Sequence, residues 1–281
     1  MRRGDRWQSW GALALALAVS GCAGIGGGRG GEASLEGYAP EQIFLLGERE
    51  LAAADPEEAA RYFGEVERLY PYSTLARRAL IMQAFAYHEA RAYELARASA
   101  QRYLDFYPAD DDAAYARYLL ALSYYDQIDE VGRDQGLTFQ ALQALREVIE
   151  RHPDTPYARS AVLKFDLAFD HLAAKEMEIG RYYLQRGHYP AAINRFRAVV
   201  EDFQTTTHTA EALHRLVEAY LSLGLAEEAQ TAGAILGYNF QGSPFYEDSY
   251  RLLTARGLSP EPRGENWLSA IYRQVIRGEE L

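Results

Sequence analysis

A helix-pair pattern that recurs at near-constant spacing limits this chain more than any other feature. Tyr-Pro occurs at Tyr70-Pro71 and, 37 residues on, at Tyr107-Pro108. His152-Pro153 follows, and EDFQ (Glu201 to Gln204) stands at the corresponding place after the next helix. Each break is preceded by an amphipathic stretch with small residues on its inner face. The stretch GRYYLQRGHYPAAINRFRAVV is the clearest unit. Gly180 and Tyr183 lie on a first helix and Gly187 and Tyr189 at the turn. Ala192, Phe196 and Val199 form the inner face of a second helix, and Gln204 stands where proline is usual. Pro190 suits the first turn of that second helix, where a missing N–H costs nothing.

The other units carry the same signs. The first has Gly47, Ala59, Phe63 and Val66; the second Ala84, Tyr87, Tyr93, Ala96, Ala100 and Tyr103. The third has Gly136, Ala141, Leu145 and Val148, with about seven extra residues between its helices; the fifth has Tyr220, Gly224, Ala229 and Gly233. Small residues let two helices approach, and a large aromatic from the neighbouring helix fills the space above them. No pair buries its apolar face alone, so the pairs must stack. The pattern resembles the tetratricopeptide repeat. It predicts an all-α fold of about five such helix pairs, over 39–71, 75–108, 113–153, 157–204 and 208–241, stacked as a right-handed solenoid with an extra C-terminal helix. In the tail, Trp267, Ile271 and Val275 recur every four residues, as do Leu268, Tyr272 and Ile276. That spacing predicts an amphipathic helix, either capping the last repeat or docking a partner.

The N-terminus reads as an address. Arg2, Arg3 and Arg6 precede the short apolar run GALALALAV, the n-region and h-region of an export signal. VSGC then ends at Cys22, the only cysteine in the chain, in the manner of a bacterial lipobox. The expected organisation is a lipoprotein signal peptide over 1–21 and a lipid-anchored, glycine-rich tether over 22–37. A repeat domain over 38–241 and a C-terminal extension over 242–281 follow. Ala23 after the cysteine favours the outer membrane, facing the periplasm of a Gram-negative bacterium. A lone cysteine excludes an intramolecular disulfide.

Composition narrows the function. Hydrophobic residues make up 48% and charged residues 25% of the chain, and the mean hydropathy of −0.31 excludes a polytopic membrane protein. A net charge of −11 argues against a general nucleic-acid binder, which needs a basic face. No two histidines have the i, i+4 spacing of a helical metal site, and HExxH, G-x-S-x-G and P-loop patterns are absent. Asp110, Asp111 and Asp112 read as a solvated linker with an N-cap. No catalytic residues, metal or cofactor are expected beyond the covalent lipid on Cys22.

What remains is a surface. Tyrosine and arginine are common hot-spot residues, and the chain has 21 tyrosines. Tyr70, Tyr72, Arg77, Arg78, Tyr87 and Tyr118 are candidates to line a groove for an extended peptide, with core packing as the competing role for each tyrosine.

The signal and lipobox, the five units and the long third turn containing GRDQ are followed by DHLAAKEMEIGRYYLQRGHYPAAINRF and VVEDFQTTTHTAEAL. Together, over about residues 38–240, they resemble the BamD family, lipoproteins of the outer-membrane β-barrel assembly machinery. The resemblance implies a non-enzymatic scaffold. Its partners would be a POTRA domain of the barrel-forming subunit, bound through the C-terminal repeats, and unfolded outer-membrane proteins, engaged through the N-terminal ones. Other lipoproteins of the machinery are further candidates. In the family, the arginine of an Asn-Arg pair on the second helix of the fourth unit contacts the POTRA domain. Here that pair is Asn194-Arg195, and Arg181 and Arg197 are neighbouring arginines that the repeat pattern does not use. Gln135 stands where one well-known member of the family has a proline in the inserted turn. That member has no tail equivalent to the extension over 242–281, so the resemblance implies nothing for it. The competing reading is a tetratricopeptide lipoprotein organising cell-wall synthesis or envelope constriction. Such proteins often carry an N-terminal coiled coil, whereas a glycine tether leads straight into the repeats here. An enzyme, such as a repeat-bearing cell-wall hydrolase, lacks a catalytic constellation.

Overall fold

The computed structural model describes residues 35–264 and 267–277. The signal peptide, Cys22 and most of the tether lie outside the described residues. Gly37–Leu281 forms one compact unit; of the other, Met1–Glu36, only Leu35 and Glu36 are described.

Among the described residues the fold is all-α. The first helices of the five pairs are α1 (Pro40–Ala52), α3 (Thr74–Glu89), α5 (Ala113–Tyr125), α7 (Pro156–Gln185) and α9 (Thr209–Leu223). The second helices are α2 (Pro56–Leu69), α4 (Tyr93–Phe106), α6 (Gly136–Arg151), α8 (Tyr189–Asp202) and α10 (Ala226–Asn239). Each helix packs against its neighbours in sequence, and successive first helices touch along a second layer. The tetratricopeptide-type pairs therefore fall where the sequence places them.

Local chemistry sets the helix ends. Asp55 caps α2 by accepting the Glu58 N–H at 3.1 Å, and Thr155 caps α7 by accepting the Ala158 N–H at 3.1 Å. Prolines open α1, α2 and α7. Between the helices of four pairs the chain passes through a left-handed residue: Ala54, Arg91, Gly187 and Gly224. The third pair instead carries an inserted turn over residues 126–135. Gln135 holds that turn by donating to the carbonyls of Val131 and Arg133, and Lys175 of α7 donates to the Gly132 carbonyl at 2.6 Å.

Glycine opposite phenylalanine sets the packing within two pairs. A Cβ on Gly47 would lie 2.7 Å from Phe63, and one on Gly180 would lie 2.4 Å from Phe196. Both rings are fully buried. The backbones approach because no side chain intervenes, and the ring fills the interface.

Helix α7 runs 30 residues with no glycine or proline between Pro156 and Gly180 to break it. Its first half packs Ala161 with Leu145 and Val148 of α6. Its second half places Ala173 and Met177 in the core of Phe196, Leu213 and Leu216. One continuous helix thus joins two cores.

Asp112 stands at the N-cap of α5 but makes no side-chain cap bond, and the acidic run works through Asp110 instead. Asp110 accepts the Tyr103 hydroxyl at 2.6 Å and the Asp112 N–H at 3.1 Å, and it pairs with Arg77 at 2.5 Å. The Tyr103 hydroxyl and then the Asp112 N–H hold its carboxyl below the usual carboxylate range.

The tail contains two helices rather than one: α11 (Pro244–Thr254) and α12 (Trp267–Arg277). Helix α11 packs on α9 and α10, and α12 on α10. The connecting strap is laced to α10. Gln230 donates to the Ser259 carbonyl at 2.8 Å. The Thr231 hydroxyl donates to the Arg263 carbonyl at 2.9 Å and accepts the Arg263 N–H at 3.0 Å.

His214 of α9 meets α11. Its Nδ1 lies 2.8 Å from the Ser249 hydroxyl and the ring faces Phe245. Burial pushes its pKa below the ordinary 6.5, opposed by Glu218, with Arg215 adding to the drop and Asp248 and Glu211 opposing it. A histidine that folds neutral is protonated first in the unfolded chain. Its stabilisation is full above about pH 6.5 and is lost as pH falls toward the lower folded-state pKa. His152 is lowered in the same direction, by burial and then by Arg117 and Arg151. The melting temperature is expected to drop between pH 7.5 and 5, and His214→Asn should flatten that drop. Thermal melts by circular dichroism at matched ionic strength measure it; an equal drop in the variant contradicts the assignment.

Candidate partner-binding edge

Helix α8 directs three faces to three different jobs. Ala192, Phe196 and Val199 are fully buried against α7 and α9. Asn194 and Arg195 are exposed along the edge that α8 shares with α7. The rotation from Ala192 to Arg195, about 60° on a helix, is enough to bring Arg195 out of the core without leaving α8's rim.

Arg195 is held there by a residue that the sequence reading did not single out. Its Nη1 lies 3.1 Å from Glu176 Oε2 on α7. Arg195 and Asn194 line a depression with Glu176, Tyr183, Ala191 and Ala198. Glu176 precedes Gly180 by one helical turn, and that i, i+4 relation to the close-approach glycine is the signal that could have found it.

The other two arginines do not join this patch. Arg181 pairs with Glu211 of α9 at 3.0 Å, and Glu211 also accepts from Arg215. That network ties the fourth pair to the fifth. Arg197 lies two residues, about 200°, around the helix from Arg195. Its guanidinium sits 4.8 Å from the Trp267 ring of α12 and pairs with Glu201 at 2.8 Å. Trp267 in turn donates its indole N–H to the Tyr220 hydroxyl at 3.0 Å. Arg197→Ala is expected to lower stability by about 0.5–1 kcal/mol through the lost cation–π contact, with partner binding unchanged. Urea denaturation and a pull-down read the two effects separately.

The N-terminal candidates also spread out. Tyr70 ends α2 and donates its hydroxyl to the Tyr38 carbonyl at 2.5 Å, while Tyr72 is fully exposed. Arg77 is engaged by Asp110. Arg78 faces α1, 3.5 Å from Glu48 and 5.1 Å from the Phe44 ring centroid. Tyr87 follows Arg78 by nine residues, which puts it about 180° away on α3. It lines a furrow between α2 and α4 with Gln83, Ser99 and Arg102. Tyr118 of α5 faces α7, its hydroxyl 2.6 Å from that of Ser160 and its ring 5.7 Å from Tyr157. Arg78 and Tyr118 therefore belong to the first-helix layer, and Tyr87 opens onto the other side. Leu163 and Leu167, one turn apart on α7 and each more than 60% exposed, were also missed. Their spacing reads as core in the sequence.

Known proteins resemble the chain over this whole region. A family model, YfiO, described as an outer membrane lipoprotein, matches residues 37–235. A Caulobacter vibrioides protein named outer membrane protein assembly factor BamD is 48% identical over 251 residues, 89% of this chain and 81% of that protein. The protein of the same name from Rickettsia prowazekii is 43% identical over 76% of this chain and 83% of its own length. That from Neisseria meningitidis serogroup A is 28% identical over 85% and 93%.

Proposed function

We propose, from the premise that the chain belongs to the BamD family of outer-membrane protein assembly factors, that it is a non-catalytic scaffold for inserting β-barrel proteins into the outer membrane. Cys22 carries the lipid that holds it to that membrane on the periplasmic side, the glycine-rich tether gives it reach, and no other cofactor is needed. The edge at Asn194 and Arg195 meets a POTRA domain of the barrel-forming subunit. The first-helix layer that includes Arg78 and Tyr118 engages unfolded outer-membrane proteins, and other lipoproteins of the machinery join the same assembly. With a charge of −11 the chain has no use for nucleic acid.

The single observation that carries the partner site is Arg195. It is exposed on a helix whose adjacent face, Ala192, Phe196 and Val199, is fully buried, so its position is fixed while its charge stays accessible. Purification through a tagged full-length copy from envelope extracts should recover a POTRA-containing barrel protein. Recovery of cell-wall synthesis factors alone would overturn the proposal. Arg195→Glu is expected to weaken that complex on the order of 10²-fold by reversing a desolvated charge pair. The melting temperature should hardly move, because an exposed ion pair contributes little to stability.

A further inference from the structure

The chain carries one helix-pair module twice, at a constant shift of 133 residues, the step from Gly47 to Gly180. The same shift takes Phe63 to Phe196 and Tyr87 to Tyr220. It also takes the left-handed turn residues Ala54 and Arg91 to Gly187 and Gly224. Helices α1 to α4 therefore correspond to the second half of α7 with α8, α9 and α10. In the C-terminal module the chain's own α12 covers the furrow between α8, α9 and α10. Trp267 lies 4.8 Å from the Arg197 guanidinium of α8 and donates to the Tyr220 hydroxyl of α9 at 3.0 Å. Leu268 is fully buried, and Thr231 of α10 holds the strap. Shifted back by the same step, Arg197, Tyr220 and Thr231 become Gly64, Tyr87 and Ala98. These three line one open depression of about 560 Å³ between α2, α3 and α4. Gly64 leaves vacant the space that the Arg197 side chain takes in the other module. The Tyr87 hydroxyl has no hydrogen-bond partner among the described residues. At the floor, Gln83 donates to the Ala60 carbonyl and accepts the Ser99 hydroxyl, so no polar group there needs a ligand. Leu95 in the lining is half exposed.

We infer that the furrow between α2, α3 and α4 receives an amphipathic helix of a partner protein, built like α12, with a tryptophan in its first turn and a leucine beside it. The indole fills the space beside Gly64 and donates its N–H to the Tyr87 hydroxyl, as Trp267 does to Tyr220, and the leucine covers Leu95. The covered furrow of the C-terminal module shows what such a furrow takes. The occupant comes from another protein because this chain's own α12 is committed, with Leu268 locked in the C-terminal core. The furrow lies on the other side of the repeats from Arg78 and Tyr118, so a folded helix and an extended chain can be held at the same time.

Fluorescence anisotropy of a labelled synthetic peptide, residues 264–278 of this sequence, titrated with the full-length protein tests the inference. Saturable binding is expected. Leu95→Glu should weaken it at least ~10-fold by placing a charge under the apolar face, and the exposure of Leu95 keeps the fold intact. Tyr87→Phe should weaken it by roughly 2–10-fold, the worth of one hydrogen bond. The same change should have no effect on a peptide carrying Trp267→Phe, which lacks the indole N–H. Arg197→Ala in the protein should leave the affinity within about 2-fold, since that residue lies outside the furrow. Absence of saturable binding overturns the inference. So does binding that ignores Leu95→Glu but responds to Arg197→Ala, because the peptide is then displacing the native α12. Concentration-dependent dimerisation abolished by Leu95→Glu, read by analytical ultracentrifugation, would give the furrow to a second copy and overturn the partner helix.

Discussion

Replacing Phe196 by alanine is expected to lower the unfolding free energy by about 3–5 kcal/mol, read as a fall in the urea midpoint. The ring is fully buried over Gly180, in a core shared by α7 through α12. No neighbour can take its place, because the residue facing it has no side chain. The reciprocal change is also damaging. A Cβ on Gly180 would lie 2.4–2.8 Å from three atoms of the ring, and a packed aromatic cannot swing away as a surface chain can. Gly180→Ala should cost about 1–3 kcal/mol by overpacking. Together the two changes should cost less than their sum, since the added methyl enters the space the ring vacates. Strict additivity in a double-mutant cycle would show that the two residues do not share one cavity.

A chain ending at Gln241 is expected to lose on the order of 5 kcal/mol or more, summing two buried leucines and a tryptophan at about 1.5–3 kcal/mol each. The family model ends at residue 235, but the Caulobacter vibrioides relative matches 251 residues, more than the 241 that the cut would keep. Packing gives a physical reason for the tail. Eight consecutive residues of α10, Ala229 to Leu236, are buried. A helix buried all round has cover on every side, and the tail provides one of those sides. Leu253 and Leu268 are fully buried, and Gly233 is bare so that Leu253 and Pro260 can approach. Removing them leaves an apolar face and the unpaired side chain of Gln230, while the Thr231 hydroxyl keeps only the Glu227 carbonyl of its own helix. The truncated chain should bind a hydrophobic dye and melt at least about 10 °C lower. An unchanged melt would make the tail dispensable.

Much of this was legible in the chain itself. The glycines, alanines and aromatics that specify a helix pair act through contacts about sixteen residues apart, so their spacing carries the fold. Gly180 with Phe196 and Gly47 with Phe63 could be paired from the repeat alone, and so could the inserted turn. Helix α11 was not recovered, although Ser243 followed by Pro244 is a cap-and-proline start akin to Thr155 followed by Pro156. Its aromatic residues Phe245, Tyr246 and Tyr250 give a weak stripe because several stay partly exposed.

The sequence by itself determined that small residues face large ones within each pair, and hence that the pairs must stack. It also singled out Asn194 and Arg195 as surplus to that packing. The tertiary structure alone decided what each surplus arginine meets. Arg181 meets Glu211 thirty residues on, Arg197 meets Trp267 seventy residues on, and Arg195 meets Glu176 across a helix pair. An ion pair or a cation–π contact depends on which faces the folded chain brings within a few ångströms. No periodicity along the chain records that distance.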